Sequence, residues 1–526
     1  MQQLSPFFFL EGVSITDETP INNTGENSIK EIAGFLFGRR DIYSSAEEIT
    51  RENVVDEVNS ALTFHLQNVM EEEYLYWYSR GLQPILNRTK ERNEFILNKV
   101  VENNAQRIID FKNGYFLQES AFYVSRKPGK KSKVDKLNEY LYRSGKQTAD
   151  NVIADWFHRV GKADLFVESN PDKEIPFKAY ALNPRSAFVV YSLKPGNRPL
   201  FGVNMVINDQ ILSIDVYTEQ RIFKLGGRAV AKTATIYPTY DCTASAIEGE
   251  WRNALGHIPI IEYRYNSVNM GAFESVVYLL DAINNVQSNR VDGIDQFIQS
   301  IAIAVNCEFP EDTTASKIKQ AGLIALRSIG ENKADFKILS EELDQQQTQT
   351  LADNLYDRAM EICAVPTSAR QGSATYDSTG QAAIFNNGWE QAASCARNTE
   401  DLFRQSNRYF DEIILSILST KGLIKDLSVV DFELNFVRNE TANVQSKAQA
   451  FQTMMAAGLH PELALKKSGL SNDPVADLKM SEKYMKMIWG DPDKVDEAEQ
   501  TNGGEGEAEI VESDNDNGED TMGGVV

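Results

Sequence analysis

Residues 253–301 read NALGHIPIIEYRYNSVNMGAFESVVYLLDAINNVQSNRVDGIDQFIQSI. Two hydrophobic periods meet in this stretch. Ile258-Pro259-Ile260-Ile261-Glu262-Tyr263 is a short apolar run whose proline suits an edge strand or a strand start. From Phe273 the period becomes helical. Phe273, Val276, Leu280, Ile283, Val291, Ile294, Ile298 and Ile301 fall close to an i, i+3, i+7 stripe, which the mostly polar run Asn284 to Arg290 interrupts. A continuous helix over 273–301 would be about 43 Å long. Strand and long helix side by side in one stretch point to an α+β fold.

Upstream, residues 115–265 carry β-rich runs at 188–191, 202–207 and 211–217. Turn signals separate them at Pro195-Gly196-Asn197 and Asn208-Asp209. A small antiparallel sheet set among helices is expected there. Residues 25–112 read as helical, with starts at Ser44 to Glu47 and Thr50 to Glu52 and a break at Gly81 and Pro84. Asn87 to Lys112 reads as one further helix carrying Ile96, Val100, Ile108 and Ile109 on a stripe. Downstream, Phe336 to Leu339 and Val429 to Val437 are strand candidates, and Leu343 to Cys363 and Gln381 to Ser419 are helices, the latter with a possible kink at Asn386-Asn387-Gly388. Ala364 to Gly380 is loop-like, and Thr441 to Trp489 reads as a small helical unit.

The chain has 526 residues and a formal net charge of −23. Residues 491–526 hold thirteen Asp and Glu against Lys494 alone, so this segment carries −12 and the rest −11. The tail composition cannot sustain a core and predicts disorder. An acidic body excludes tight phosphate gripping over a broad surface. No run of about eighteen apolar residues is present, so no membrane helix is expected. Phe7 to Leu10 is too short for a signal peptide. Cys242, Cys307, Cys363 and Cys395 lack metal-site spacing and read as free thiols in a reducing compartment.

No catalytic, cofactor or metal constellation stands out. The four histidines lie far apart, and His257 beside Pro259 reads as structural. Gly226-Gly227 reads as a turn, since no phosphate-binding motif surrounds it. Glu71-Glu72-Glu73 reads as a solvated helix face in preference to a metal patch. Asp281 and Asp292 sit on an amphipathic helix with no partner motif, and Lys127, Lys130, Lys131 and Lys133 read as a solvated loop.

Several stretches, taken in order, resemble the portal proteins of tailed bacteriophages, of the type common in long-tailed phages of Gram-positive hosts. They are Tyr76 to Gly81 through Pro84-Ile85-Leu86, then Asn98 to Asn103, Ile109-Asp110-Phe111 and Gly114-Tyr115; Pro184 to Tyr191 with Val216-Tyr217-Thr218; Asn253 to Tyr263 with Leu279 to Asn284 and Ser288-Asn289; and Gly458 to Glu462 with Asp473-Pro474. They span roughly residues 70–490. At Leu117-Gln118 the family more often has Gly-x-Pro.

The resemblance implies a ring of about twelve subunits forming the channel at one capsid vertex for DNA packaging, retention and ejection. Residues 1–272 would be most of the wing, 273–301 and 343–363 the stem helices, and 302–342 the clip. Residues 364–380 would be the tunnel loop, 381–439 the long wing helix and return strand, and 440–490 the crown. The loop residues Arg370, Gly372, Ser373, Thr375, Tyr376 and Asp377 would face DNA. The clip residues Lys317, Lys319, Arg327, Lys333 and Lys337 would dock the terminase large subunit and later the head-tail adaptor. Further implied partners are the major capsid and scaffolding proteins and double-stranded DNA held without sequence preference. The implied location is the virion, after assembly in the host cytoplasm, with no enzymatic role and no cofactor. Another phage head component without a channel role, an acidic α+β protein without a DNA role, and an enzyme with a scattered site are the competing readings.

Overall fold

The computed structural model describes residues 38–90, 96–232, 239–298, 301–305, 307–308, 327–328, 335–339, 345–367, 388–437, 444–471 and 474–489. These fall in two compact units divided between Asn439 and Glu440.

The first unit opens with strand β1 (Ile42–Ser44) and helix α1 (Val54–Ser79). The helix starts later than either predicted start, because Asn53 Oδ1 accepts the Thr50 amide at 2.8 Å and folds residues 50–53 into a turn. Asp56 and Glu57 then complement the positive end of the helix dipole. Val54, Val58, Ala61 and Leu62 form one buried face of α1. It covers a six-stranded sheet ordered β1-β5-β6-β7-β8-β9.

Between α1 and that sheet the chain forms α2 (Asn104–Phe116), β2 (Phe122–Ser125), α3 (Lys131–Arg143), α4 (Lys146–Val160), β3 (Lys162–Ser169) and β4 (Phe177–Leu182). The stretch 87–112 is therefore not one helix. Residues 96–103 are neither helix nor strand, and helix begins only at Asn104. Helices α3 and α4 lie inside the stretch expected to be β-rich. Each hides one apolar stripe, such as Val134, Leu137 and Leu141 of α3.

The remaining sheet strands are β5 (Ala187–Ser192), β6 (Pro199–Asn208), β7 (Ile211–Tyr217), β8 (Arg221–Lys232) and β9 (Thr239–Arg252). β1 joins β5 in parallel, and the other pairings are antiparallel. Period-two alternation places Leu212, Ile214 and Val216 inward and turns Ile211, Ser213, Asp215 and Tyr217 to the other face. The hairpin at Asn208-Asp209 closes with φ of 45° at Asp209 and 73° at Gln210, the conformation a tight right-twisted hairpin requires. Gly226-Gly227 is not a turn. It lies within β8 at a register shift, where a Cβ on Gly227 would sit 2.3 Å from the Thr243 carbonyl oxygen.

Strand β10 (Ile260–Arg264) pairs with β3 and β3 with β4, giving a second, three-stranded sheet. Next come α5 (Val277–Ile298), β11 (Ile301–Val305), β12 (Cys307–Glu308), β13 (Arg327–Ser328), β14 (Asp335–Leu339), α6 (Gln345–Ile362) and α7 (Trp389–Thr420). β15 (Phe432–Asn435) pairs with β2. The strand predicted over 429–437 is shorter because Ser428 and Asp431 form a capping box that claims 429–431 as a helical turn. The possible kink at 386–388 falls mostly outside the described residues.

Three cores result. One joins α1 to the large sheet. A second gathers α4, α7 and the small sheet around Phe157, Phe403 and Phe410. The third packs the end of α1 with α2, α5 and α6 around Tyr78, Phe273, Leu280 and Met360. The second unit comprises α8 (Val444–Ala456), α9 (Pro461–Ser468) and α10 (Pro474–Trp489). The acidic tail lies outside the described residues.

Candidate assembly site: the helical arm and its strap

Helices α5 and α6 pack on each other, and the chain between them returns through two short antiparallel pairs. Ile301 of β11 faces Leu339 of β14, and Cys307 of β12 faces Ser328 of β13. Together they make one arm of helix, strands and helix. Its helical span is shorter than the predicted 273–301. Residues 274–276 form a tight 3-10 turn, α5 ends at Ile298, and Ile301 opens a strand.

The apolar stripe of α5 divides along its length. Phe273, Val276, Leu280 and Ile283 are buried within the subunit, so this half of the stripe packs into the subunit's own core. Val291 and Ile294 are 36% and 50% exposed, and Tyr278 is 44% exposed. Helix α6 adds exposed Leu351 and Ile362. Large apolar side chains along a pair of packed helices are a surface that a second molecule would cover.

The polar run that interrupts the stripe has partners. Segment 96–103 lies across this run and the following Asp292 and donates backbone N–H groups to their side chains. Asn98 donates to Asp292 Oδ1 at 2.7 Å, Val100 to Ser288 Oγ at 2.9 Å, and Glu102 to Asn284 Oδ1 at 2.8 Å. Arg88 and Lys90 pair with Asp292 as well. Burial raises the affinity of Asp292 for a proton, but Lys90 and the Asn98 hydrogen bonds outweigh it and hold the carboxyl below its ordinary range. Asp281 accepts from Tyr78 Oη at 2.9 Å, and burial pushes it up to about 6. Both aspartates therefore have partners that the sequence did not announce.

Glu71-Glu72-Glu73 is not a solvated face either. Glu71 pairs with Arg39 and Arg40, and Glu73 with Arg185 and the Trp77 indole. Glu72 is fully buried, and burial pushes it up to about 7 despite Lys162, Arg39 and Arg185 nearby. Arg39 also reaches Glu274, whose Oε2 accepts the Gly271 amide at 2.8 Å. The head of α5 is thus tied to the start of the described chain. No group of three or more potential ligands able to hold a metal occurs among the described residues. His257 packs edge-on to the Tyr409 ring, and His65 and His158 are buried. The basic cluster is likewise tied down: Lys127 pairs with Asp431, Lys130 meets the Asp426 carbonyl, and Lys133 donates to the Lys425 carbonyl.

Of the predicted clip residues, Arg327 lies in β13 opposite Glu308, and Lys337 lies in β14 opposite Ile303. Lys317, Lys319 and Lys333 lie outside the described residues, as do Arg370, Gly372, Ser373, Thr375, Tyr376 and Asp377. The start of that loop is well defined. The Val365 amide bonds to the Met360 carbonyl at 2.9 Å and the Ala364 amide to Glu361 at 3.0 Å, with Ala364 at φ 50°. This is a Schellman cap, and Val365 completes it by packing into the third core. The strap at 96–103 was missed as a strap. Its signal was present as polar residues at 284, 288 and 292, four apart on one helix face.

The chain matches the family model described as phage portal protein, SPP1 Gp6-like, over residues 65–488. The chain belongs to this phage portal protein family. It is a portal protein of a bacteriophage virion, with a role in genome packaging. The family is generally structural, and membership implies an oligomeric ring that works with the capsid and the terminase. No curated protein matches the chain. No described helix is long and apolar enough to cross a membrane.

Proposed function

We propose that this portal protein closes into a ring of about twelve copies around a channel at one capsid vertex. DNA enters through it during packaging, is retained, and leaves on ejection. In this reading α5 and α6 are the stem, and the segment between them is the clip that docks the terminase large subunit and then the head-tail adaptor. Residues 364–380 are the tunnel loop, 1–272 and 381–439 the wing, and 440–490 the crown. The observation that carries the reading is the arm: two packed helices that keep Val291, Ile294, Leu351 and Ile362 exposed in a single subunit. A heterologous contact that covers such a face and closes on itself makes a ring.

The acidic body supports a sliding role. DNA carries one charge per ~1.7 Å of axis, and a strongly basic wall would hold it fast. Arg370 is the one cation of residues 364–380, so a ring of these side chains would touch phosphates weakly and without sequence preference. Mass photometry of the purified chain tests assembly. Closed rings are expected, and a stable monomer at micromolar concentration across salt conditions would overturn the reading. Arg370→Ala is expected to leave rings intact and lower the DNA packaged per head. Wild-type packaging would remove the loop from the mechanism.

A further inference from the structure

The strap and the helix beneath it match in a way that ordinary packing does not require. Donors on the strap recur every two residues, at Asn98, Val100 and Glu102. Acceptors on α5 recur every four, at Asp292, Ser288 and Asn284, in the opposite direction. Two extended residues advance about 6.6 Å and four helical residues about 6.0 Å. The two repeats therefore stay in register over two steps, and the strap pairs with a helix face as it would with a neighbouring strand.

Burial follows the polar groups. Asn284 and Ser288 are 0% exposed and Asp292 is 3% exposed, while the apolar Val291 and Ile294 beside them stay open. The strap buries one apolar side chain fully, Ile96, and three others, Leu97, Val100 and Val101, only partly. Its grip is thus directional hydrogen bonding and ion pairing, with no share in the three cores. Such a segment can open by local unfolding while the cores stay intact. At one end it is fastened to α1, where Asn103 donates to the Ser79 carbonyl at 2.7 Å. At the other end Asn98 reaches Asp295 at 2.7 Å, close to where α5 passes into the strands of the arm.

We propose that residues 96–103 are a releasable clasp that sets the rotation and tilt of α5 against the body of the subunit. Closed, it fixes which face of α5 the neighbouring molecule meets. Open, it frees the α5–α6 arm to move as a lever pivoting near Tyr78 and Asp281. The closed clasp is the conformation of the single subunit; its opening during DNA passage rests on the channel role proposed above.

The test is a redox-controlled lock. Asn98 and Asp295 meet through their side-chain ends, which leaves Asn98→Cys and Asp295→Cys further apart than a direct disulfide spans, so a short bis-methanethiosulfonate is used to oxidise and bridge the two thiols in the full-length ring. The reduced form of the same protein is the control for folding. Rings are expected in both states, with amide exchange in 96–103 about tenfold slower after oxidation. Heads carrying oxidised rings should fail to package or release DNA, and reductant should restore both. Oxidised rings that move DNA like reduced ones would overturn the proposal, as would rings that fall apart on oxidation alone, since locking a contact already closed should not disturb assembly. A second measurement needs no substitution and no ring. In the unmodified chain, the amides of Asn98, Val100 and Glu102 should exchange well before those of α5. Exchange only on global unfolding would show that the clasp does not open.

Discussion

The backbone amide of Val100 donates a 2.9 Å hydrogen bond to the hydroxyl of Ser288, a side chain with no exposed surface on α5. A single small polar group thereby holds a non-helical segment against a helix. Ser288→Ala removes the acceptor but leaves the amide in place. The expected cost is about 1–3 kcal/mol, that of an unpaired buried donor. Denaturant unfolding would measure it. A change under about 0.5 kcal/mol would mean that the strap finds water when it loses its partner.

Glu72 predicts a pH dependence of known sign. Its pKa in the folded chain, about 7, lies above the ordinary 4.5 because the carboxyl is buried. A raised acid contributes stability that is fully present below pH 4.5 and is lost as pH rises through 7. The isosteric Glu72→Gln removes that loss. The variant should be more stable than the parent at pH 8, by at most about 3 kcal/mol, with the gap shrinking toward pH 5.5. His65 works in the opposite direction. Burial and Lys162 push it down to about 3, so its contribution is present above pH 6.5 and fades as pH falls. Equal melting of Glu72→Gln and parent at pH 8 would place water beside Glu72.

Ala364 occupies the left-handed position of the cap that ends α6, at φ 50°. A residue with a Cβ pays roughly 1–2 kcal/mol there relative to glycine. Ala364→Gly should therefore raise stability by about 1 kcal/mol, partly offset by the freer unfolded chain. Thermal unfolding would show a higher midpoint. A lower midpoint would mean that the chain's stiffness at this point outweighs the strain.

Ile294 is half exposed on the arm of one subunit. If a neighbouring copy covers it, Ile294→Lys buries an unpaired charge and should abolish rings at micromolar concentration while the monomer still folds. Circular dichroism and mass photometry together separate the two effects. Normal rings would place the subunit contact elsewhere on the molecule.

The α+β class, the strand at 260–263, the helices at 345–362 and 389–420 and the hairpin at Asn208-Asp209 were all legible from local pattern. The family was legible too, from short motifs kept in order. These features depend on neighbours within about one turn or one hairpin, and periodicity records such neighbours directly. The end of α6 near Cys363 was legible as well, although an alanine stands at the cap position where glycine is usual.

Long-range pairing was another matter. Asn98 to Asn103 looked like part of a helix, since its residues tolerate that state. It is not helical because Asp292, Ser288 and Asn284, nearly two hundred positions on, accept its amides. Asn284 and Ser288 looked like a gap in an apolar stripe, and Asp292 like a residue with no partner motif. Glu72 looked solvated because adjacent acids usually are, yet folding brings Arg39, Lys162 and Arg185 around it. Gly226-Gly227 looked like a turn until Thr243 came close enough to require a residue without a side chain. Local sequence sets which backbone states are cheap. Where a buried polar group finds its partner depends on which distant segment arrives beside it, and the cost of leaving such a group unpaired is large enough to override the local preference.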